Sequence, residues 1–298
     1  MSNVSHISKK PLLNTRVFGC YLLITAICFA SLQPVFVLSL QKLGFVSVVL
    51  IFFRYFVAWS LWSTLTKTVD LPRSDRNKAR AAGAMVALCS WCYYLGLQYA
   101  SVSFVVGMLY TFPLFILLWS IFKEQKKVSV MKLLAFTVAF VGLFFCVGAE
   151  VHFTPLALVL GLGSAVLFGL YIIKLPRFTE PLKQNSLTAY VLQGGWIVVL
   201  VPMLFYLSTI SFSWQALMLL LGLSILATLV PIVLLNRGLA AVDNSLDSSI
   251  LLLLEPVVAT LFSIIIINEV VNLQSIVGVI LMVIGAGISV YQTEKNAA

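Results

Sequence analysis

Two ionisable residues lie deep inside long apolar stretches: Arg54 in LIFFRYFVAW and Glu255 in LLLLEPVVAT. A charge surrounded by hydrocarbon is costly, and such residues mark the paths of substrates and ions. A guanidinium presents a planar fork of donors that matches a carboxylate or a phosphate. A carboxyl group can load and release a proton. The chemistry on offer is recognition of an anion and carriage of a coupled proton. Two other roles stay open: Arg54 could balance Glu255, and Glu255 could only satisfy backbone freed by Pro256. Around this pair, polar and aromatic residues recur at helical spacing. Trp91, Tyr94 and Gln98 stand at i, i+3 and i+7; Gly107 and Thr111 share a face beside Tyr110; Phe168 and Tyr171 share another; Gln33 precedes Pro34, and Asn236 ends a later apolar run. A mostly apolar cavity with a few polar groups is the common form of a small-molecule site. The candidate substrate-binding residues are therefore Arg54, Trp91, Tyr94, Gln98, Tyr110, Thr111, Tyr171 and Glu255. Tyr93 is adjacent to Tyr94 and is expected to face elsewhere. Trp59, Trp62 and Trp214 sit near the ends of apolar runs, as interfacial aromatics do.

Other chemistries find no support in the residue patterns. A membrane-embedded enzyme acting on a lipid or peptide is the competing reading, and it needs a clustered nucleophile, an acid/base pair or a metal site. The chain has no H-E-x-x-H, no G-x-S-x-G and no G-x-x-x-x-G-K-[ST] phosphate loop. Asp243 and Asp247 are four residues apart, but they read as a solvated helix start favoured by the helix dipole. His6 and His152 fall in separate loops, so no metal cluster is visible. All five cysteines lie within apolar runs, where small buried side chains are expected rather than a disulfide framework. No cofactor is expected.

The elements that must position these residues follow from composition. Of 298 residues, 61% are hydrophobic and 10% charged, against about 25% charged in a soluble domain. A helix crosses the roughly 30 Å hydrocarbon layer with about 20 largely apolar residues. Ten such stretches are predicted: 17–40, 45–66, 79–98, 101–122, 128–147, 155–174, 186–207, 214–236, 244–267 and 272–291. The fold class is an all-α integral membrane protein, with the lipid bilayer as its partner. Basic residues accumulate in cytoplasmic loops. With a cytoplasmic N-terminus, 17 of the 19 Lys and Arg residues fall on the inside, Lys42 alone falls outside and Arg54 falls within a span. Both termini are thus expected to be cytoplasmic in a plasma (inner) membrane. The net charge of +9 is a topology signal rather than a sign of nucleic-acid binding. Ten helices can enclose a pathway alone, so a functional monomer is expected. Arg54 and Glu255 would lie about 13 Å and about 12 Å from opposite faces, both near mid-depth.

The two halves resemble each other. Pro113 and Pro256 are 143 residues apart, and so are Gly142 and Gly285. Ala26, Phe29 and Ala30 correspond to Ala165, Phe168 and Gly169 at an offset of 139. Five spans per half is an odd number, so two direct repeats, 1–148 and 149–298, would lie in the membrane with opposite orientation. Inverted repeats with Pro-interrupted helices at matching positions mark secondary transporters. Proline removes a backbone donor and clashes with the preceding turn, so Pro113 and Pro256 are the expected hinges. Glu255 has Phe112 as its counterpart and Arg54 has no charged counterpart, so neither ionisable residue was duplicated with the scaffold.

The segment LEPVVATLFSIIIINEVVNLQSIVGVILMVIGAGI (254–288) resembles the closing pattern of the EamA family of the drug/metabolite transporter superfamily: Glu-Pro in the ninth helix, a Glu at its end, then a Gly-rich tenth helix. FFRYFVA (52–58) resembles the family's Arg in the second helix, and LLNRGLAAVDNS (234–245) its eighth-helix exit. The first half departs from the pattern, with Phe112-Pro113 and the Lys-rich end Lys123, Glu124, Lys126, Lys127. The resemblance implies ten helices, a central cavity and movement of small metabolites, often amino acids or related compounds, often outward.

Overall fold

The computed structural model describes residues 13–100, 102–125, 128–147, 154–206, 213–262 and 273–295. Among these, every regular element is helical and no β-strand occurs. In chain order the α-helices are α1 Leu13–Ala30, α2 Gln33–Lys42, α3 Ser47–Leu65, α4 Arg73–Gly96, α5 Val102–Leu109, α6 Phe112–Phe122, α7 Val130–Val147, α8 Pro155–Lys174, α9 Pro181–Leu204, α10 Trp214–Ser224, α11 Val230–Val242, α12 Ser245–Leu252, α13 Glu255–Phe262 and α14 Leu273–Lys295. A π-helical turn, Ile225–Leu229, joins α10 to α11. Six helical units are long and apolar enough to cross a membrane: Thr15–Lys42, Ser47–Leu65, Phe104–Phe122, Pro155–Lys174, Pro181–Leu204 and Trp214–Val242. Val130–Phe145 and Ile276–Ile288 are shorter apolar segments.

The helices fall on the predicted stretches, with interruptions inside four of them. The first breaks at Ser31–Leu32, the fourth at Tyr110–Thr111, the eighth at the π turn and the ninth at Leu253–Leu254. Each is followed by a proline in the second position of the next helix: Pro34, Pro113, Pro231 and Pro256. There a missing N–H costs little. Before Pro113 and Pro256 the turn tightens. Thr111 N–H donates to Met108 O at 3.1 Å, and Leu254 N–H donates to Leu251 O at 3.0 Å. Gln98 falls just past the end of α4 and is exposed.

The polarity of the molecule is that of a protein in lipid. Large apolar side chains face outward, among them Val201 at 62%, Val159 at 67% and Ile280 at 52% exposure, while Arg54, Asn236 and Thr188 are buried. Where no water can satisfy a hydroxyl, a carbonyl of its own helix is one available acceptor. Ser31, Ser90 and Ser224 donate to the carbonyls four residues earlier.

Small residues set the closest helix crossings. A Cβ on Gly142 of α7 would lie 2.6 Å from Gly278 O and 2.8 Å from Met282 N of α14. A Cβ on Gly285 of α14 would lie 2.6 Å from Ala135 O and 2.7 Å from Ala139 N of α7. A Cβ on Gly83 of α4 would strike Val191 O, and one on Gly194 of α9 would strike Arg80 O.

One sequence expectation is corrected here. Asp247 is not part of a solvated helix start. Asn244 caps α12, accepting from the N–H groups of Leu246 and Asp247. The helix then turns the Asp247 side chain inward, where it is 5% exposed and pairs with Lys132 of α7 at 2.6 Å. Asp243 does stay exposed, in a left-handed turn with φ 51°. It bonds Arg177 at 3.0 Å, and Arg177 also donates to Ser245. These ion pairs tie α12 and its entry to α7 and to the α8–α9 connection. An apolar cluster of Leu117, Phe136, Leu246 and Ile250 packs α6, α7 and α12 together beside them.

Candidate functional site

A cavity of about 150 Å³ lies where the four interrupted helical units meet α3, α4 and α8. Arg54 and Glu255 both line it. An apolar void of this size in a protein holds a benzene-sized ligand, so the space suits a small solute in this conformation.

Arg54 comes from the middle of α3 and is 4% exposed. Its guanidinium is held from three sides. Nε donates to Thr228 Oγ1 at 2.9 Å, and Nη2 reaches Ala227 O at 3.5 Å. Both acceptors lie in the π turn, which frees carbonyl groups from the helical ladder. Nη1 donates to the Tyr94 hydroxyl, and Nη2 donates to Gln33 Oε1 at 3.1 Å. Gln33 opens α2 directly after the first helix break. The guanidinium also lies over the Tyr55 ring at 5.0 Å. Every one of these partners is neutral. Among the described residues no carboxylate lies within ion-pair distance of Arg54, and Arg54 and Glu255 do not pair in this structure.

Glu255 is the first residue of α13, just after the break in the ninth stretch. Tyr110, at the break in the fourth, lines the same cavity wall as the Glu255 carboxyl group. These two Pro-linked breaks thus bring Tyr110 and Glu255 to one cavity. Cys89 lines the same cavity as both charges.

The remaining predicted residues divide. Tyr110 lines the cavity. Tyr94 is fully buried behind Arg54 and supports it without lining the space. Tyr93, expected to face elsewhere, does line it. Thr111 turns its hydroxyl back onto Met108 O. Trp91 is half-buried against the apolar core, and Gln98 is exposed. Tyr171 belongs to a separate buried network: its hydroxyl donates to Asn236 Oδ1, and Asn236 Nδ2 donates to Thr188 Oγ1 at 3.2 Å. Phe168, which stacks on Tyr171, is the member of that pair that reaches the cavity. The sequence reading missed Thr228 and Ala227, whose role depends on a π turn that no residue pattern announces. Pro231 two residues after that turn is the one local signal of irregularity.

Buried polar groups around a cavity, with long apolar helices outside, are the build of a multi-pass membrane protein. Residues 155–291, from α8 into α14, match the model of the EamA-like transporter family. That part of the chain is an EamA-like transporter domain, and the family belongs to the drug/metabolite transporter superfamily. No curated protein matches the chain. A solved structure described only as a crystal structure of a protein is similar over 94% of this chain and 99% of its own, with a TM-score of 0.74 at 16% identity. At that identity the likeness is one of fold.

Proposed function

We propose that the protein is a secondary transporter that moves a small metabolite, an amino acid or a related organic solute, outward by alternating access. The observation that carries this reading is the presence of both charges in the wall of one cavity: a guanidinium with no counter-ion among the described residues, and the Glu255 carboxyl group. A buried charge needs a partner. A zwitterion supplies an anion to Arg54 and a cation to Glu255. Glu255 is equally able to carry a coupled proton when the solute lacks an ammonium group.

The mechanism rests on two inverted five-helix repeats. Their support is a shared register. Gly142 meets Gly278 and Met282, Gly285 meets Ala135 and Ala139, and all three pairings differ by 143 residues. The tightened turns at Thr111 and Leu254 differ by the same 143. Partners exchange likewise: α4 packs on α8 as α11 packs on α1. In such a pair, the half-helices α6 and α12 close one end and their outer counterparts close the other. Here α6 and α12 pack together at the end rich in basic loops, and no α6 residue lines the cavity. With that end cytoplasmic, as the basic residues argue, the state is outward-facing. The protein then works as a monomer in the plasma membrane.

Proteoliposomes test the reading with three solutes of similar bulk: L-leucine, 4-methylpentanoate and 3-methylbutylamine. Counterflow of labelled leucine, lost in Arg54→Gln, is expected. Equal transport of 4-methylpentanoate would assign Glu255 to protons rather than to the ammonium group, and a pH gradient should then drive accumulation except in Glu255→Gln. Transport of none of the three would overturn the reading for this solute class.

A further inference from the structure

Three side chains hold the Arg54 guanidinium, but they are not equivalent. Tyr94 and Thr228 are fully buried and do not line the cavity. Gln33 is only partly buried and lines it. The Nε edge is fixed to the π turn through Thr228 and Ala227. A guanidinium has five N–H donors, and four are engaged by these partners. A carboxylate entering from the cavity needs two parallel donors for a bidentate pair. It finds at most one free, and the cavity-side partner it must displace is Gln33.

We infer that Gln33 is a displaceable stand-in for a substrate carboxylate: its amide oxygen occupies the anion position on Arg54 when the cavity is empty and gives way when substrate arrives. This rests on the reading of Arg54 as an anion site, and it adds a positioning residue to it. The consequence is mechanical. Gln33 is the first residue of α2, set off from α1 by the Ser31–Leu32 break. While Gln33 holds Arg54, it ties the start of α2 to α3 and to the π turn. Once an anion takes its place, that tie is released, and α2 is free to move on the break. Substrate binding and movement of the first helical unit are thereby linked through one amide. A neutral carbonyl suits the task. It is a weaker partner for a cation than a carboxylate is, so it stabilises the empty site without blocking the filled one.

The test uses the full chain purified in detergent, with L-leucine and 4-methylpentanoate as probes. Gln33→Met keeps the volume and removes the acceptor. It is expected to bind both probes about three- to tenfold more tightly than wild type, since the competing hydrogen bond to a charged group is gone, while transport in liposomes slows. Gln33→Glu installs a tethered carboxylate. It is expected to raise the melting temperature, to lose binding of both probes, and to lose the thermal gain when combined with Arg54→Gln. Binding in Gln33→Met that falls as far as in Arg54→Gln makes Gln33 a direct ligand and overturns the inference. So does a Gln33→Glu melting temperature that is unchanged, or that rises equally without Arg54. If wild type binds neither probe, the reading of the substrate class fails by itself, and the comparison of Gln33→Glu with and without Arg54 still decides whether an anion position exists there.

Discussion

At the scale of the residue, the organising fact is a permanent cation surrounded by neutral acceptors. Arginine cannot shed its proton in a protein, so burial at 4% exposure must be offset by hydrogen bonds, by the Tyr55 and Tyr94 rings, and by whatever enters the cavity. Lysine would keep the charge and lose the fork. Arg54→Lys cannot reach Thr228, Tyr94 and Gln33 together, and transport is expected to fall at least tenfold. Wild-type rates in that variant, measured by counterflow, would remove the planar-anion argument. Tyr171 gives the contrasting case. Its hydroxyl serves the Asn236 network outside the cavity, so Tyr171→Phe should cost about 1 kcal/mol of stability and leave substrate affinity within twofold. A loss of affinity without a loss of melting temperature would place Tyr171 in the site after all. The sequence made Arg54 and Glu255 legible because depth follows from counting at 1.5 Å per residue. It did not make Tyr93 and Tyr94 separable. Spacing says that neighbours face different ways; only the packing of α4 decides which of the two meets the cavity and which supports Arg54 from behind.

At the scale of the element, the legible features are those with a residue-level cause. Pro34, Pro113, Pro231 and Pro256 each stand second in the helix that follows one of the four interruptions, and helices end or bend before proline for steric reasons. The π turn at Ile225–Leu229 supplies two of the acceptors of Arg54. Pro231, four residues after Ala227, has no N–H to take up the Ala227 carbonyl, but a proline alone does not announce which kind of turn forms. The Lys132–Asp247 pair was hidden for a related reason: a helix start and an inward-facing carboxylate look alike until the cap is known to be Asn244. That pair supports a prediction. Lys132→Met leaves Asp247 buried without its partner, which costs about 3–5 kcal/mol, whereas Lys132→Met with Asp247→Leu replaces the pair by apolar contacts and is expected to recover most of it. Thermal unfolding of the single and double variants reads this directly. A single variant as stable as wild type would show that water reaches the carboxylate. The crossing of α7 and α14 makes a second demand. A side chain at Gly142 or Gly285 meets backbone at 2.6 Å, so Gly142→Leu and Gly285→Leu should each destabilise strongly and to a similar extent, because the two positions make the same contact from opposite sides.

At the scale of the whole molecule, the question is which end of the cavity is open, and it can be asked through a residue already in place. Cys89 lines the cavity together with the two charges. In a variant retaining Cys89 alone, with Cys20, Cys28, Cys92 and Cys146 replaced by serine or alanine, a small membrane-impermeant thiol reagent reports access from either side of the membrane. The packing of α6 on α12, the Lys132–Asp247 pair and the Arg177 contacts with Asp243 and Ser245 all lie at the end that carries the basic loops, the end proposed to be closed. If that end is cytoplasmic, modification should be fast in intact cells and at least tenfold slower in inverted vesicles, and substrate should protect. Asp247→Asn weakens the closed end and is expected to raise the inverted-vesicle rate while the intact-cell rate falls, because two states that share one cavity exchange population rather than add to it. Fast modification from the inside in the parent variant would reverse the orientation inferred from charge. A rise on both sides in Asp247→Asn would mean that the helices part without alternating, and that the paired half-helices are a scaffold rather than gates.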